Sequence, residues 1–318
     1  MKITVAGCGR WGTFIAWYLD RTGHNVTLYG RSTSENMKRL ISTRKNDYLE
    51  LTETVKLSTE LDSLAEAEAV VISIGAQGLR NFCKEIAQVG VENKMFILCM
   101  KGLEIGTGCR LSEIASENLH PSNHVAVWLG PGHVQEFYNG VPNCMVIDSE
   151  DEEIKQHLVK ELSGDLIRFY FGTDIIGNEI GAAAKNVIGI AAGMLDGAGV
   201  SSLKGALMAR GAREIARLIK ALGGSELSAY GLCHLGDYEA TVFSKHSHNR
   251  RFGEAYVKGE EFKSLAEGYY TVKALVEMGE KHGVDLPICN AVYTILYENA
   301  SPEKTLDNLF RRDTKSEF

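Results

Sequence analysis

The sequence predicts an α/β protein: a doubly wound sheet in the first half, followed by an all-α second half. Three observations carry that expectation. Short apolar runs alternate with helix-length segments as far as residue 172, strand-like runs almost vanish from Thr173 onward, and a glycine-rich turn directly follows the first apolar run.

The runs at residues 3–6, 25–29, 69–74, 96–100, 125–129, 144–147 and 167–171 each read as buried strands. The intervals between them are long enough for crossover helices, which is how parallel strands connect. In the second half, residues 176–195, 204–222, 226–230 and 269–282 have helical length and periodicity. The expected division is residues 1–172 and 173–318, with no Pro/Ser-rich linker between them.

Composition narrows the function classes. The 318 residues are 44% hydrophobic and 24% charged, which fits an ordinary globular chain of more than one core. A net charge of −7 gives no global attraction for nucleic acid or acidic membranes, so any bound anion needs a local site. The seven cysteines are odd in number, widely spaced and contain no C-x-x-C pair, which signals neither a disulfide framework nor a metal site. With no leader-like pattern and no apolar run of spanning length, a soluble cytoplasmic protein is the expectation.

Glycine is in excess, 33 residues against 5 prolines. Gly7, Gly9 and Gly12 form G-x-G-x-x-G between the first strand and a segment of helical periodicity. In that setting Gly7 permits the tight turn, Gly9 lets backbone approach a pyrophosphate, and Gly12 lets helix pack on strand. The first domain therefore reads as a Rossmann-like dinucleotide-binding unit. After the second strand come Gly30, Arg31, Ser32 and Thr33, with no acid where an NAD site places one for the ribose 2′-hydroxyl. Arg31 suits a 2′-phosphate, so the reading is NADP or NAD with a lean to NADP; the alternative is a solvated loop arginine.

Polar residues just past the strands are the next candidates, because ligands of open α/β sheets bind beyond the strand carboxyl ends. Gln77, Lys101 and the Gly130-Pro131-Gly132-His133 segment occupy such places. Lys101 read alone is also a snorkelling surface lysine. In the second half, Lys185 and Asn186 lie in a helix crowded with Gly181, Ala182, Ala184, Gly189, Ala192 and Gly193, small residues that admit either another helix or a cofactor. Desolvation there would lower the Lys185 pKa toward the range of proton transfer, unless the lysine faces solvent. Residues 244–253 gather Lys245, Arg250, Arg251 and two histidines, suited to a phosphate or carboxylate or to a solvated basic loop. Asp237 and Thr241 precede them and could orient a polyol.

These pieces, in this order, make the chain resemble the bacterial type of NAD(P)-dependent glycerol-3-phosphate dehydrogenases over nearly its whole length. The matching segments are Gly7 to Thr13 with Arg10 and Trp11, Lys101 to Glu104, Gly130-Pro131 with Glu136, Lys185 to Ile188, Gly236-Asp237, Asn249 to Gly253, and Glu267 to Tyr269. The resemblance implies that Lys185 is the general acid/base at the substrate C2 oxygen, with Lys101 and Asn186 holding the same region. Asp237 and Thr241 would line the pocket, Ser247, His248, Asn249 and Arg250 would surround the substrate phosphate, and Glu267 would lie near the cofactor that Arg10 and Trp11 help to bind. It also implies an all-helical C-terminal domain, a small phosphorylated polyol or ketone substrate and a homodimer, without nucleic acid, membrane or metal.

Two departures fall in that site. The family's serine after Gly-Pro is Gly132, and its phosphate-gripping arginine is His248, so Arg250 would have to restore a fixed charge. They leave open a related hydroxy or keto substrate, or a nucleotide-sensing homologue without turnover, beside the glycerol 3-phosphate reading.

Overall fold

In the computed structural model, residues 1–314, 316 and 317 are described. The chain divides into two compact units, Met1–Lys101 with Cys109–Ile175, and Gly102–Gly108 with the chain from Ile176 onward.

The first unit is built on β1 (Lys2–Ala6), β2 (Asn25–Tyr29), β3 (Lys56–Ser58), β4 (Ala69–Ile72), β5 (Met95–Leu98), β6 (His124–Leu129), β7 (Asn143–Ser149) and β8 (Ile167–Phe171). Among the described residues these form one eight-stranded sheet in the order β3-β2-β1-β4-β5-β6-β7-β8. The order reverses between β1 and β4, which is where such sheets bind ligands. All neighbours are parallel except β6 and β7, which are joined through a single short helix, α5 (Val134–Tyr138). The other helices of this unit are α1 (Arg10–Arg21), α2 (Glu35–Thr43), α3 (Leu79–Gln88), α4 (Leu111–Asn118) and α6 (Glu152–Leu162).

Apolar runs locate the inner strands well because both faces of β4 and β5 are covered, leaving Val70, Val71, Ile72, Phe96, Ile97 and Leu98 buried. The strands stop sooner than their apolar runs, however. β4 ends at Ile72 and β5 at Leu98, while the buried Cys99 and Met100 already belong to the loop beyond. β3 has only three residues, too few to make a pattern. β8 alternates rather than being buried throughout, with Ile167 and Phe169 inside and Arg168, Tyr170 and Phe171 outside, as an edge strand does.

The second unit contains α7 (Ile175–Gly197), α8 (Lys204–Ala221), α9 (His248–Lys258), α10 (Glu267–His282), α11 (Pro287–Tyr297) and α12 (Pro302–Phe310). Residues 226–230 form a 3₁₀ turn rather than an α-helix, and Glu239–Phe243 is a single π turn. α7 is buried on every side from Glu179 to Leu195, so it is the axis of the unit rather than an amphipathic surface helix. Its small residues serve helix packing. A Cβ on Gly193 would lie 1.8 Å from the Arg250 carbonyl oxygen, and one on Gly253 would lie 2.1 Å from that of Ile190. α7 and α9 therefore cross backbone to backbone at a glycine from each.

Of residues 244–253, read as a basic segment, the first four form a turn and cap and the rest are the start of α9. The Ser247 hydroxyl caps it by accepting from the Arg250 N–H at 3.3 Å, and Gly259 ends it in the left-handed region at φ 70°. Among the described residues, no helix is long and apolar enough to cross a membrane.

Candidate functional site

In the first unit, β1 leads into Gly7 and α1 begins at Arg10. Gly7 has φ +119°, and a Cβ there would lie 2.1 Å from the Ser73 carbonyl oxygen just past β4. A Cβ on Gly12 would lie 1.9 Å from the Gly7 oxygen. Gly9 differs, because a Cβ there would meet nothing within 4 Å. The space at Gly7 is thus taken by the chain just past β4 and that at Gly12 by the turn, while Gly9 opens onto free space. Gly9 is also the N-cap of α1, which has no side-chain cap and no acid in its first turn. Loop and helix terminus fit a pyrophosphate.

Arg10 and Trp11 take structural contacts here. The Arg10 guanidinium lies 5.6 Å over the Tyr48 ring, and Trp11 packs 5.0 Å from Phe14 and 6.2 Å from Phe137. Arg31 follows β2 as expected, and its side chain is exposed but paired. Its Nη2 donates to both carboxylate oxygens of Glu85, at 2.7 and 2.9 Å. Glu85 was not foreseen, since 54 residues separate the pair and no pattern links them.

Lys101 and Gly130 do come together past the ends of the adjacent strands β5 and β6, where Lys101 Nζ donates to the Gly130 carbonyl at 2.6 Å. Gly132 has φ +154°, and a Cβ there would lie 2.2 Å from Phe137 Cε2. The serine of the family pattern has no room beside that ring, which is buried and stacked on Phe14 at 5.0 Å.

In the second unit, Lys185, Asp237 and Thr241 converge. Lys185 is 8% exposed, Asp237 1% and Thr241 2%. Lys185 Nζ lies 2.9 Å from Asp237 Oδ2 and donates to Thr241 Oγ1 at 2.8 Å. The Thr241 hydroxyl donates in turn to the Asp237 carbonyl at 2.7 Å, so its proton is committed and its lone pair faces the ammonium. The close approach has a local cause. Gly189 lies one turn beyond Lys185 on the same face of α7, and a Cβ there would be 2.6 Å from Thr241 Cγ2. The lysine expected to lie desolvated in a bed of small residues is buried, and a carboxylate lies beside it.

Asn186 and Asn249 form a second linked pair. Asn249 Nδ2 donates to Asn186 Oδ1 at 3.0 Å, and Asn249 Oδ1 accepts from the Gly268 N–H at 2.9 Å. α7, α9 and the start of α10, where Glu267 stands, are tied together by this one amide. Ser247 is engaged as the α9 cap, and His248 opens that helix with its ring 6.4 Å from Phe262.

Arg250 overturns an expectation. Its Nη1 donates to Asp196 Oδ2 at 2.6 Å and Glu254 Oε2 at 3.0 Å, and its Nε donates to the Ser244 carbonyl at 3.1 Å. Asp196 also accepts from Lys204 Nζ at 2.7 Å, which donates to the Val242 carbonyl at 3.1 Å. Neighbouring bases and hydroxyls hold the Asp196 carboxyl below the ordinary carboxylate range despite its burial. Arg250 thus clamps the segment that carries Thr241 and is not held out toward a phosphate. Asp196 gave no sequence signal, because an acid at the end of a helix reads as a solvated charge.

His234 was missed as well. Fully buried, it places Nδ1 2.8 Å from the Gly181 carbonyl and Nε2 2.7 Å from the Tyr238 hydroxyl. A carbonyl can only accept, so Nδ1 carries the proton and Nε2 accepts from the tyrosine. Burial pushes its pKa down to about 4, and the ring is a neutral strut between Gly181 and Tyr238.

Comparison with known proteins shows the family of the chain. The sequence model of the NAD-dependent glycerol-3-phosphate dehydrogenase N-terminus matches residues 2–155, and that of the C-terminus matches residues 174–307. The chain belongs to this family. It is 34% identical over 337 residues to "Glycerol-3-phosphate dehydrogenase [NAD(P)+]" of Prosthecochloris aestuarii, covering 100% of each chain. To the protein of that name from a Thermotoga species it is 35% identical over 327 residues, covering 100% of this chain and 99% of the other. Among solved structures, the glycerol-3-phosphate dehydrogenase of Coxiella burnetii superposes with a TM-score of 0.91 at 27% identity, over 98% of this chain and 99% of that one. Membership of the family makes the NAD(P) dependence of the N-terminal unit the reading that its glycine loop already supports.

Proposed function

We propose that this protein interconverts sn-glycerol 3-phosphate and dihydroxyacetone phosphate with NAD(P)(H). Residues 1–172 serve the dinucleotide and residues 173–318 the substrate. The observation that carries the reading is the buried Lys185 ammonium set between the Asp237 carboxylate and the Thr241 hydroxyl, in a chain of this family.

Gly7, Gly9, Gly12 and the start of α1 would hold the pyrophosphate, with Arg10, Trp11, Arg31 and Glu267 as the other cofactor residues. Bound there, the nicotinamide supplies or accepts the hydride at C2. Lys185 holds the proton at the C2 oxygen, giving it as the ketone is reduced and taking it as the alcohol is oxidised. Asp237 keeps the ammonium oriented, and Thr241, its own proton committed, fixes the direction of the Nζ–H bonds. Lys101, Gly130 and Gly132 of the first unit and Asn186 of the second would serve as further substrate residues. Ser247, His248 and Asn249 face the phosphate, while Arg250 supports them through the Asp196 clamp.

A small phosphorylated ketone or polyol is the substrate, and the working form is a cytoplasmic homodimer. A dimer would sediment at twice the chain mass; a monomer at micromolar concentration would remove that part of the reading.

The deciding experiment is a ketone panel with NADH and NADPH, followed by nicotinamide absorbance. Turnover of dihydroxyacetone phosphate above all other ketones supports the proposal. Turnover of another hydroxy or keto compound in its place overturns the substrate while leaving the chemistry of Lys185. The second reading is kept because His248 replaces an arginine and Phe137 excludes a serine at 132.

A further inference from the structure

The sequence lacks an acid at the end of β2, and that absence was the ground for the lean to NADP. In space, the acid is supplied from another element. Glu85 lies on α3, beyond β4, and its carboxylate takes the Arg31 guanidinium through both oxygens at 2.7 and 2.9 Å.

The placement is built into the fold. α3 buries Leu79, Phe82, Cys83 and Ile86, and the Phe82 ring stacks on Tyr29, the last residue of β2, at 6.2 Å and 16°. Glu85 lies three residues from Phe82, on the neighbouring face of the helix. On the other side, a Cβ on Gly30 would lie 2.6 Å from Cys8 Sγ. The missing side chain lets the end of β2 close onto the glycine loop, so Arg31 emerges beside the phosphate-binding turn with Glu85 facing it.

Resting on the nicotinamide dinucleotide reading of that loop, we propose that Glu85 is a cofactor-specificity residue that disfavours the 2′-phosphate. A 2′-phosphate drawn to Arg31 competes with the exposed Glu85 carboxylate already bonded to it, and meets a like charge beside it. A 2′-hydroxyl carries no charge and meets no such opposition. The lean to NADP drawn from Arg31 alone therefore overstates the preference: the pair admits NAD and restrains NADP.

The test is binding without turnover, read by quenching of tryptophan fluorescence as NADH and NADPH are titrated into the full-length protein with no substrate. Glu85→Gln is expected to tighten NADPH by roughly three- to fivefold, the size of an exposed charge contact, and to leave NADH nearly unchanged. Glu85→Asp, which keeps the charge, is expected to hold the ratio near that of the wild type. Equal changes for both dinucleotides in Glu85→Gln, or no change for either, would overturn the proposal. Binding of neither by the wild type would remove the nucleotide reading itself, and the proposal with it.

Discussion

Lys185 and Asp237 show how much depends on a single pair. Removing the lysine leaves a carboxylate that is 1% exposed without its cation, a change that costs about 3–5 kcal/mol of stability. Lys185→Met alone confounds folding with chemistry. In the double variant Lys185→Met, Asp237→Asn both charges go, and most of the lost stability is expected to return. Its kcat is nevertheless expected to stay lower by about 10²–10⁴-fold, as for loss of a general acid/base. Recovery of turnover in the double variant would take Lys185 out of the chemistry. Gly132 supplies a second residue-scale prediction. Restoring the family serine with Gly132→Ser is expected to lower the melting temperature, not improve the enzyme, because φ +154° and the Phe137 ring both oppose a side chain.

Two buried groups give opposite pH dependences. His234 has its ordinary value of 6.5 lowered to about 4 by burial. The unfolded chain therefore takes up a proton that the native one refuses, and stability is lost as pH falls from 6.5 toward 4. Glu214 has its ordinary 4.5 raised to about 7, again by burial, although it accepts from the Ile288 and Cys289 N–H groups at 2.9 and 3.0 Å. Its contribution is complete below 4.5 and lost as pH rises toward 7. Denaturant midpoints against pH check both signs. The advantage of wild type over His234→Gln should shrink on acidification by about 1.4 kcal/mol per pH unit, and that over Glu214→Gln should shrink on the way to neutrality.

At the level of elements, α7 organises the second unit, and two of its glycines make different predictions. Gly193 meets α9 backbone at 1.8 Å, so Gly193→Ala must push a helix aside and is expected to cost about 1–3 kcal/mol, read as a lower melting temperature. Gly189 meets side chains first, the Thr241 methyl at 2.6 Å and the Asn249 Cβ at 3.3 Å. Gly189→Ala is therefore expected to lower kcat with a smaller change in stability, by moving the hydroxyl that directs Lys185. Equal melting losses with unchanged kcat would deny Gly189 a part in the site. The elements themselves were legible where burial made long apolar runs, as at β4, β5 and α7. α9 was not, since His248, Asn249, Arg250 and Arg251 read as charge, although Ser247 before them and Gly259 after them are ordinary helix punctuation.

Across the whole molecule, what the sequence showed was mostly local. Gly7, Gly9 and Gly12 are six residues from end to end, and Lys185 with Asn186 are neighbours. Partnerships closed by the fold were hidden: Arg31 with Glu85, and Arg250 with Asp196, lie 54 residues apart in each case. The formal net charge is −7. Arg31, Lys185 and Arg250 are each paired with an acid of the same chain, and Lys101 donates to a backbone carbonyl. A dinucleotide held by the glycine loop is expected to raise the melting temperature with concentration, by the equivalent of about 2.7 kcal/mol at a hundred times Kd. An unshifted transition at saturating NADH would count against that loop.

The excursion at Gly102–Gly108 bears on separability. Those seven residues belong to the helical unit, and Leu103 is wholly buried in its core. A fragment starting at Ile176 would inherit six helices and a vacant leucine socket, whereas a cut after Ile175 would leave its partner fragment trailing a stranded apolar loop. Neither half is therefore a self-sufficient piece of sequence, and a split at residue 175 is expected to yield two fragments that fold poorly when expressed apart.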